Sequence, residues 1–428
     1  TFNGYAGDTL ASALLANGVR KVARSFKYHR PRGIVAAGAE EPNAILQVGQ
    51  GAYTVPGLRA TQVELYEGLS AQSVNAWPSL ELDLYAINDR ISSLLPAGFY
   101  YKTFKWPRWL WPRYERHLRN AAGLGHAPQA PDPDTYDKRN AHCDVLVVGA
   151  GLTGLMAAQT AARAGARVIL ADEQSEFGGS LLSDSCTVGG LAAASWISQM
   201  VETLSQLPDV LLLNRSTVTG YHDHNFLVIN QRRTHHLAQP DPLLSRERLW
   251  RVRAKQVVLA TGAIERPLVF ADNDRPGVML ASAVSTYMRR YGVLPGRSAV
   301  VFTNNDSAYR CVHDLIEAGI RVQGLVDVRR RAPSAARDGL AHFGVPIYDN
   351  HVITGVKSNR RGVCAISLAA LSADARGTES HKGLIECDVL AVSGGWNPSC
   401  HLHAQSGARP VFNEEKACFV PGRAVQAE

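Results

Sequence analysis

Residues 143–155 read CDVLVVGAGLTGL, which is an apolar strand followed by three glycines and the start of a helix. This order predicts a strand–turn–helix unit that binds a dinucleotide. Gly149 is expected to make the tight turn, Gly151 to let the backbone approach a pyrophosphate, and Gly154 to let the helix pack closely. The helix N-terminus then presents free N–H groups to the anion. The alternative is a glycine turn that serves packing only.

The next strand, RVILAD, leads to two acidic residues, Asp172 and Glu173. A carboxylate at the end of this strand can accept hydrogen bonds from ribose hydroxyls, and Asp172 in place of an arginine favours NAD over NADP. The segment EFGGSLL follows. Its Gly178, Gly179 and Ser180 suit a loop folded back over the nucleotide, and equally a plain surface turn.

Two later segments share one shape: QVVLATGAIERP at residues 256–267 and DVLAVSGGWNPS at residues 388–399. Each reads as a buried strand followed by small residues and a proline. Such strands carry the chain between the nucleotide domains of two-dinucleotide flavoprotein reductases, and we include Thr261 and Gly262 among the predicted nucleotide contacts. The alternative is a strand end with a turn.

Residues 298–310, SAVVFTNNDSAYR, repeat the strand–turn–helix outline without a glycine. Thr303 to Asp306 occupy the glycine positions, and their side chains keep the backbone from closing on a pyrophosphate. Asp306 at the helix N-terminus would repel the anion while capping the helix. We predict that this second site has lost ordinary dinucleotide binding. Its turn could face another ligand or a partner subunit.

The composition is that of a soluble globular protein: 428 residues, 46% hydrophobic and 19% charged. No apolar run reaches the roughly 18 residues that span a membrane, and no signal peptide opens the chain. Seven cysteines without a CxxC pair predict reduced thiols in a cytoplasmic protein. The net charge of +7 suits anionic cofactors and acidic partner subunits.

Two basic, aromatic stretches, RSFKYHRPRG at 24–33 and KWPRWLWPRYERHLR at 105–119, favour a subunit contact over nucleic-acid binding. The pair His235-His236 lies in a polar stretch and predicts a solvated loop rather than a metal site. No residue is assigned as a catalytic acid or base.

Seven stretches together resemble the alpha subunit of heterotetrameric sarcosine oxidase: GDTLASALLANGV, RSFKYHRPRGIVAAGAEEPNA, VVGAGLTGL, DEQSEFGGSLL, LATGAIERPLVFADNDRPGVMLASAV, FTNNDSAY and VSGGWNP. The resemblance runs through nearly the whole chain, and FKYHRPRG and ERPLVFADNDRPGVML are its specific parts. It implies that NAD is bound by four pyrophosphate contacts (Gly149, Gly151, Thr153, Gly154), three ribose contacts (Asp172, Glu173, Gln174), Ser180 in the following loop and Val218 at the adenine edge.

The resemblance further implies a beta subunit with FAD that oxidises sarcosine, and FMN at the alpha–beta interface that passes electrons to oxygen, giving hydrogen peroxide. Gamma and delta subunits complete the heterotetramer. The one-carbon unit leaves as formaldehyde or is captured by tetrahydrofolate on a C-terminal domain of alpha, which this sequence lacks. No nucleic acid or membrane is involved.

The predicted fold class is α/β: a two-dinucleotide-binding, Rossmann-like fold of the glutathione reductase type with an N-terminal ferredoxin-like β-grasp domain. The boundaries are 1–75 for the β-grasp domain, 76–140 for an aromatic, proline-rich connecting segment and 141–428 for the nucleotide domain, with a second nucleotide-type subdomain inserted at about 270–390. Residues 24–48 contain no cysteine, so we predict no iron–sulfur cluster.

Three alternatives stay open at this point. FAD could replace NAD at the glycine-rich site, as in related amine dehydrogenase alpha subunits. The chain could be a self-contained NADH-dependent flavoprotein reductase, although the missing glycines after Phe302 count against a second cofactor. It could also be a non-catalytic scaffold held together by its nucleotide.

Overall fold

The computed structural model describes residues 1–94, 98, 106–331 and 337–424. Part of the predicted connecting segment, residues 95–97 and 99–105, lies outside the described residues, as do residues 425–428 of the predicted nucleotide domain. The internal contacts of the chain define two compact units. Unit one comprises Thr1–Pro133 with Pro267–Gly395, and unit two comprises Asp134–Arg266 with Trp396–Glu428.

The strands are, in chain order, β1 (Ala23–Arg24), β2 (Pro31–Arg32), β3 (Ile45–Val48), β4 (Val55–Arg59), β5 (Ala71–Gln72), β6 (Tyr136–Val148), β7 (Val168–Ala171), β8 (Thr187–Val188), β9 (Leu191–Ala192), β10 (Val210–Leu213), β11 (Ser216–His222), β12 (Phe226–Arg232), β13 (Glu247–Leu259), β14 (Ala263–Glu265), β15 (Val278–Leu280), β16 (Ser298–Thr303), β17 (Arg321–Asp327), β18 (Ile347–Asp349), β19 (His351–Asn359), β20 (Gly362–Leu371), β21 (Thr378–Glu386), β22 (Val389–Ser393), β23 (Trp396–Pro398), β24 (Val411–Asn413) and β25 (Cys418–Val420).

The α-helices are α1 (Leu10–Ala16), α2 (Ile87–Arg90), α3 (Trp111–Ala122), α4 (Leu152–Arg163), α5 (Ala193–Ser205), α6 (Ala281–Arg289), α7 (Ser307–Glu317) and α8 (His401–Gln405). Short 3₁₀ turns lie at Gly51–Tyr53, Ala60–Gln62, Leu84–Ala86, Ser92–Leu94, Arg108–Leu110, Gly179–Ser183 and Ala341–Phe343. Within the described residues, no helix is long and apolar enough to cross a membrane.

Unit two is built on a six-stranded sheet in the order β10-β7-β6-β13-β12-β11. The first four strands run parallel, and β12 and β11 extend the sheet antiparallel. Val145 and Val147 of β6 face one hydrophobic cluster, whereas Leu146 and Val148 face another. Both faces of the strand are therefore buried, which explains why the sequence here is a continuous apolar run.

Unit one contains a five-stranded parallel sheet in the order β15-β22-β16-β17-β18, and β16–α7–β17 is its strand–helix–strand unit. One core cluster joins this sheet to the N-terminal segment, and it includes Leu10, Ile34 and Tyr287. The Tyr287 hydroxyl donates to the Ala36 carbonyl at 2.9 Å. The Leu280 amide donates to the carbonyl of Val35 at 2.8 Å. The N-terminal segment thus shares its core with the second nucleotide-type lobe.

Candidate functional site

The turn between β6 and α4 needs two of its glycines for steric reasons of its own. Gly149 has a φ of +95°, and a Cβ there would lie 2.3 Å from the Ala260 carbonyl oxygen. A Cβ on Gly154 would lie 1.8 Å from the carbonyl oxygen of Gly149. Gly151 differs: its φ is −70°, and a Cβ there would meet no atom within 4 Å. Gly151 therefore leaves open space beside the turn.

The start of α4 offers an environment that favours an anion. Gly151 is the N-cap residue and supplies no side-chain cap, and the first turn, with exposed Thr153, contains no acidic residue. The amide groups of a first helical turn have no partner within the helix, and the helix dipole makes this end positive. Such an end can hold a pyrophosphate.

Asp172 ties the glycine turn to the end of β7. Its Oδ2 accepts a hydrogen bond from the Ala150 amide at 2.6 Å, and its Oδ1 accepts one from the Gln174 amide at 2.8 Å. Both oxygens of this carboxylate are therefore oriented by backbone amide groups. Sequence reasoning missed the bond to Ala150, because nothing local links residues that lie 22 positions apart.

The EFGG loop lies against the glycine turn. The Gly178 amide donates to the Ala150 carbonyl at 2.8 Å. Gly179 has a φ of +55°, and a Cβ there would lie 2.9 Å from the Cα of Gly151. Ser180 follows on the exposed side of the loop. The structure thus places this loop beside the predicted pyrophosphate site.

The two segments of similar shape meet within unit two. Strand β14 pairs with β23, with Ala263 opposite Pro398. The Thr261 hydroxyl donates to the Ser399 carbonyl at 2.9 Å, and the Ser399 amide donates to the Gly262 carbonyl at 3.0 Å. Thr261 follows Ala260, whose carbonyl confines Gly149. The first segment therefore borders the glycine turn, and residues 396–399 of the second are bonded to the first.

The predicted adenosine contacts lie near the backbone carbonyls of Asp172 and Glu173. The Ser216 amide, at the start of β11, donates to the Asp172 carbonyl at 2.7 Å. Val218 lies two residues further along this strand and packs partly against the core. The Arg232 guanidinium donates to the Glu173 carbonyl at 2.9 Å. Sequence reasoning missed Arg232, since only the sheet brings β12 to this position.

The second turn, in unit one, is filled by its own side chains. The Thr303 hydroxyl accepts from the Asn305 amide at 3.0 Å. The Asn305 side chain donates to the Ser393 hydroxyl at 3.0 Å and accepts from the Ser307 amide at 3.1 Å. The prediction that Asp306 caps this helix was wrong, because Asn305 makes the cap and Asp306 makes no side-chain cap bond.

A buried ion-pair network lies next to this turn. Asp327, fully buried at the end of β17, accepts from the Tyr309 hydroxyl at 2.9 Å and from the Arg329 guanidinium at 2.8 Å. Burial, and then Asp327, raises the pKa of Tyr309. Arg329 also reaches Asp306 at 2.7 Å. The acid that would meet a ribose in a dinucleotide site is thus satisfied by residues of this chain.

The pair His235-His236 lies in a turn, as predicted, but both side chains are half-buried rather than solvated. Nε2 of His235 lies 3.0 Å from a carboxylate oxygen of Glu247, and this contact lowers the pKa of Glu247. Among the described residues, no group of three or more His, Cys, Asp or Glu side chains could hold a metal ion.

Comparison with known proteins gives two family matches. Residues 143–410 match the model described as pyridine nucleotide-disulphide oxidoreductase, and residues 1–76 match that of the 2Fe-2S iron-sulfur cluster binding domain.

Among relatives, the chain is 50% identical over 98% of its length to "Sarcosine oxidase subunit alpha" of Rhizobium meliloti, of which it covers 41%. It is 41% identical over 98% of its length to the protein of the same name from Corynebacterium, of which it covers 39%. The chain therefore spans about two fifths of the length of these relatives. Their identity confirms the resemblance to sarcosine oxidase alpha subunits.

One solved structure, L-proline dehydrogenase from P. horikoshii, is similar with a TM-score of 0.61 at 18% identity, covering 98% of this chain and 63% of that one. At this identity the similarity concerns the fold alone.

The match of residues 1–76 corrects the predicted fold class. We expected a cluster-less N-terminal domain and no iron–sulfur cluster, and the 2Fe-2S family model overturns both expectations. The reasoning failed because it judged the domain by its missing cysteines alone, whereas the family match depends on the whole pattern of the segment.

A match to a 2Fe-2S family does not by itself supply the side chains that would bind a cluster. Clusters of this class are held by four cysteine thiolates, or by two cysteines and two histidines. Residues 1–76 contain one histidine, His29, and no cysteine; the first cysteine of the chain is Cys143. Nδ1 of His29 lies 2.8 Å from Asp83. These residues do not fit the group, so no cluster ligand is assigned here and no step is derived through a cluster.

Proposed function

We propose, from the premise that this chain belongs to the pyridine nucleotide-disulphide oxidoreductase family, that it is the nucleotide-binding part of the alpha subunit of a multi-subunit sarcosine oxidase. The observation that carries the proposal is the glycine turn at Gly149–Gly154, where Gly151 faces open space at an uncapped helix N-terminus. The 50% identity to a protein named as a sarcosine oxidase alpha subunit supports the choice of reaction.

In this proposal, NAD lies on the glycine turn. The amides of the first turn of α4 hold the pyrophosphate, and Asp172, Glu173 and Gln174 hold the ribose. Val218 meets the adenine edge, and Gly179 with Ser180 borders the phosphates. FAD is the alternative occupant of the same site, since the glycine turn recognises a pyrophosphate and not the group beyond it.

The proposed reaction converts sarcosine, O₂ and water into glycine, formaldehyde and hydrogen peroxide. The flavins of the complex, FAD on a beta subunit and FMN between alpha and beta, supply its redox chemistry. Because the electrons end on oxygen, the reaction needs no nicotinamide hydride, and NAD has a structural or regulatory role. Gamma and delta subunits and transfer of the one-carbon unit to tetrahydrofolate belong to the same proposal.

The second candidate is a self-contained NADH-dependent flavoprotein reductase. Its fold is that of the family, but it requires a second dinucleotide site. Asn305 and Arg329 fill the corresponding turn in unit one, which favours the first candidate.

The test compares the purified full-length protein alone and in complex with the other oxidase subunits. The nucleotide released on denaturation is identified by chromatography, and sarcosine-dependent peroxide formation is measured. We expect a colourless chain that releases NAD and turns over sarcosine only in the complex. A yellow isolated chain that oxidises NADH would establish the second candidate instead.

A further inference from the structure

One surface of unit one carries apolar side chains outward and polar side chains inward. The turn Leu84–Ala86, helix α2 and the turn Ser92–Leu94 follow one another as a nearly continuous helical stretch. Four large apolar residues recur along it at spacings of three, four and three: Leu84, Ile87, Ile91 and Leu94. Such spacing places them on one face. Their exposed fractions are 53%, 59%, 41% and 75%.

The polar residues of this stretch hold it on the FKYHRPRG block. Asp89 accepts from the Arg30 guanidinium at 2.7 Å, and the side-chain Nδ2 of Asn88 donates to the Lys27 carbonyl at 3.3 Å. Just before the stretch, buried Asp83 lies 2.8 Å from Nδ1 of His29. The block is thereby engaged with its own chain. In an ordinary surface helix the apolar stripe faces the core, whereas here polar contacts hold the other side and the apolar side is exposed.

The charges around this face are unbalanced. The four carboxylates of residues 77–94 and 106–124 are each close to a cation of the chain: Glu81 with Lys21, Asp83 with Arg24 and His29, Asp89 with Arg30, and Glu115 with Arg119. Among the described residues, four arginines of the same two segments make no ion pair: Arg90, Arg108, Arg113 and Arg116. The two segments therefore carry an excess of positive charge, and an acidic surface complements it.

Near the start of α3, three tryptophans have exposed side chains: Trp106, Trp109 and Trp111. Edge-on contact between the rings of Tyr85 and His117, with centroids 5.8 Å apart, joins the two segments. Tryptophan and arginine are enriched in protein interfaces and lysine is depleted. The described residues of these two segments contain no lysine.

We propose that Leu84, Ile87, Ile91 and Leu94 form a docking face for a partner subunit, whose complementary surface is an apolar groove rimmed by aspartate and glutamate. The unpaired arginines of the two segments steer the encounter, and the four aliphatic side chains provide the buried centre of the interface. This inference rests on the proposed function, because it requires a multi-subunit oxidase.

The experiment uses the full-length protein co-expressed with the other subunits of its oxidase. The double variant Ile87→Glu/Ile91→Glu places two carboxylates on the docking face. The matched control is Val269→Glu, since Val269 lies in the same unit and is 93% exposed. Complex formation is measured by size-exclusion chromatography with light scattering, and folding of the isolated chain by its melting temperature.

We expect the double variant to weaken assembly at least 100-fold and the control to leave it unchanged, with both melting temperatures near the wild-type value. Arg108→Glu should slow association and make it less dependent on salt, because it halves the excess positive charge. Equal assembly of the double variant and wild type would overturn the docking face. A wild-type protein that forms no complex would instead overturn the proposed function.

Hydrogen exchange distinguishes a partner subunit from the two other possible covers of this face, which are further residues of the same protein and a second copy of it. We expect amides of residues 84–94 to become protected only when the partner subunits are added. Equal protection in the isolated full-length protein would mean that its own further residues cover the face, and protection that depends on the concentration of the isolated protein would mean a second copy. Either result would refute the proposed partner.

Discussion

Replacing Gly151 and Gly154 in turn by alanine separates the two roles assigned to the glycines. A Cβ at position 154 would lie 1.8 Å from the carbonyl oxygen of Gly149, whereas Cβ atoms in proteins essentially never approach another atom within 3.0 Å. Because this oxygen belongs to the backbone, it cannot move aside as a flexible side chain could. A Cβ at position 151 would meet nothing within 4 Å, at a φ of −70° that alanine adopts without strain.

The two variants should therefore fail in different assays. We expect Gly154→Ala to lower the free energy of unfolding by about 2–4 kcal/mol, because the turn must open to admit the methyl group. For a unit of this size, that corresponds to a fall in melting temperature of roughly 5–15 °C. Gly151→Ala should keep or slightly raise stability, by up to about 1 kcal/mol, because alanine restricts the unfolded chain.

For Gly151→Ala the loss should appear in nucleotide affinity. A methyl group at this position holds a pyrophosphate away from the amides of α4, costing a charge-assisted hydrogen bond of about 1.5–3 kcal/mol. This predicts a Kd for NAD that is about 10- to 100-fold higher.

Calorimetric titration of the nucleotide-free protein measures the affinity, and scanning calorimetry of the same preparation measures the stability. Unchanged NAD affinity in Gly151→Ala, with a stable fold, would refute the assignment of this turn as the dinucleotide site. An unchanged melting temperature in Gly154→Ala would refute the steric argument.

Three further outcomes are expected. Asp172→Asn turns one acceptor into a donor beside two amide groups, so it should weaken NAD binding and lower stability by about 1–3 kcal/mol, measured by the same two calorimetric assays. Arg329→Met leaves the buried Asp327 carboxylate without its cation, so it should lower the free energy of unfolding in urea by about 3–5 kcal/mol without changing NAD affinity. Asp306→Asn, at the exposed end of the network, should lower it by less than about 1 kcal/mol. Equal losses in the two variants would contradict the network. Burial raises the pKa of the Cys143 thiol to about 12, so the folded state keeps a proton that the unfolded state loses above a pH of about 8.5. The free energy of unfolding should therefore fall with rising pH, by up to about 1.4 kcal/mol per pH unit, until a pH of about 12. Cys143→Val should flatten this slope in unfolding curves recorded between pH 8 and 10, and an identical slope would exclude the thiol as its cause.

Sequence reasoning succeeded where the backbone geometry depends on a few consecutive residues. The roles of Gly149 and Gly154 in the turn follow from backbone sterics over six positions, so spacing alone was enough to predict them. The same holds for the filled second turn, where side chains at Thr303 to Asp306 replace glycines. Whether these turns bind or exclude a dinucleotide stays a prediction.

Sequence reasoning failed where it relied on a cysteine count instead of the whole sequence pattern. It also failed where the contacting residues lie far apart in the chain. The missing cysteines led to a cluster-less fold class, and the family match of residues 1–76 corrected it. Asn305 rather than Asp306 caps α7, and the Asp306 carboxylate pairs instead with Arg329, which follows the end of β17. No local signal distinguishes these two neighbours.

The sequence by itself determined the strand–turn–helix units and the glycine turn, since both rest on short-range sterics and hydrophobic periodicity. Only the tertiary structure decided that Asp172 bonds to the glycine turn and that Arg329 satisfies Asp327. It also decided that Arg30 of the FKYHRPRG block bonds to Asp89 while Ile87 and Ile91 are exposed. These arrangements join residues far apart in the chain, and their geometry depends on how strands align in a sheet and which face of a helix is already held by polar contacts.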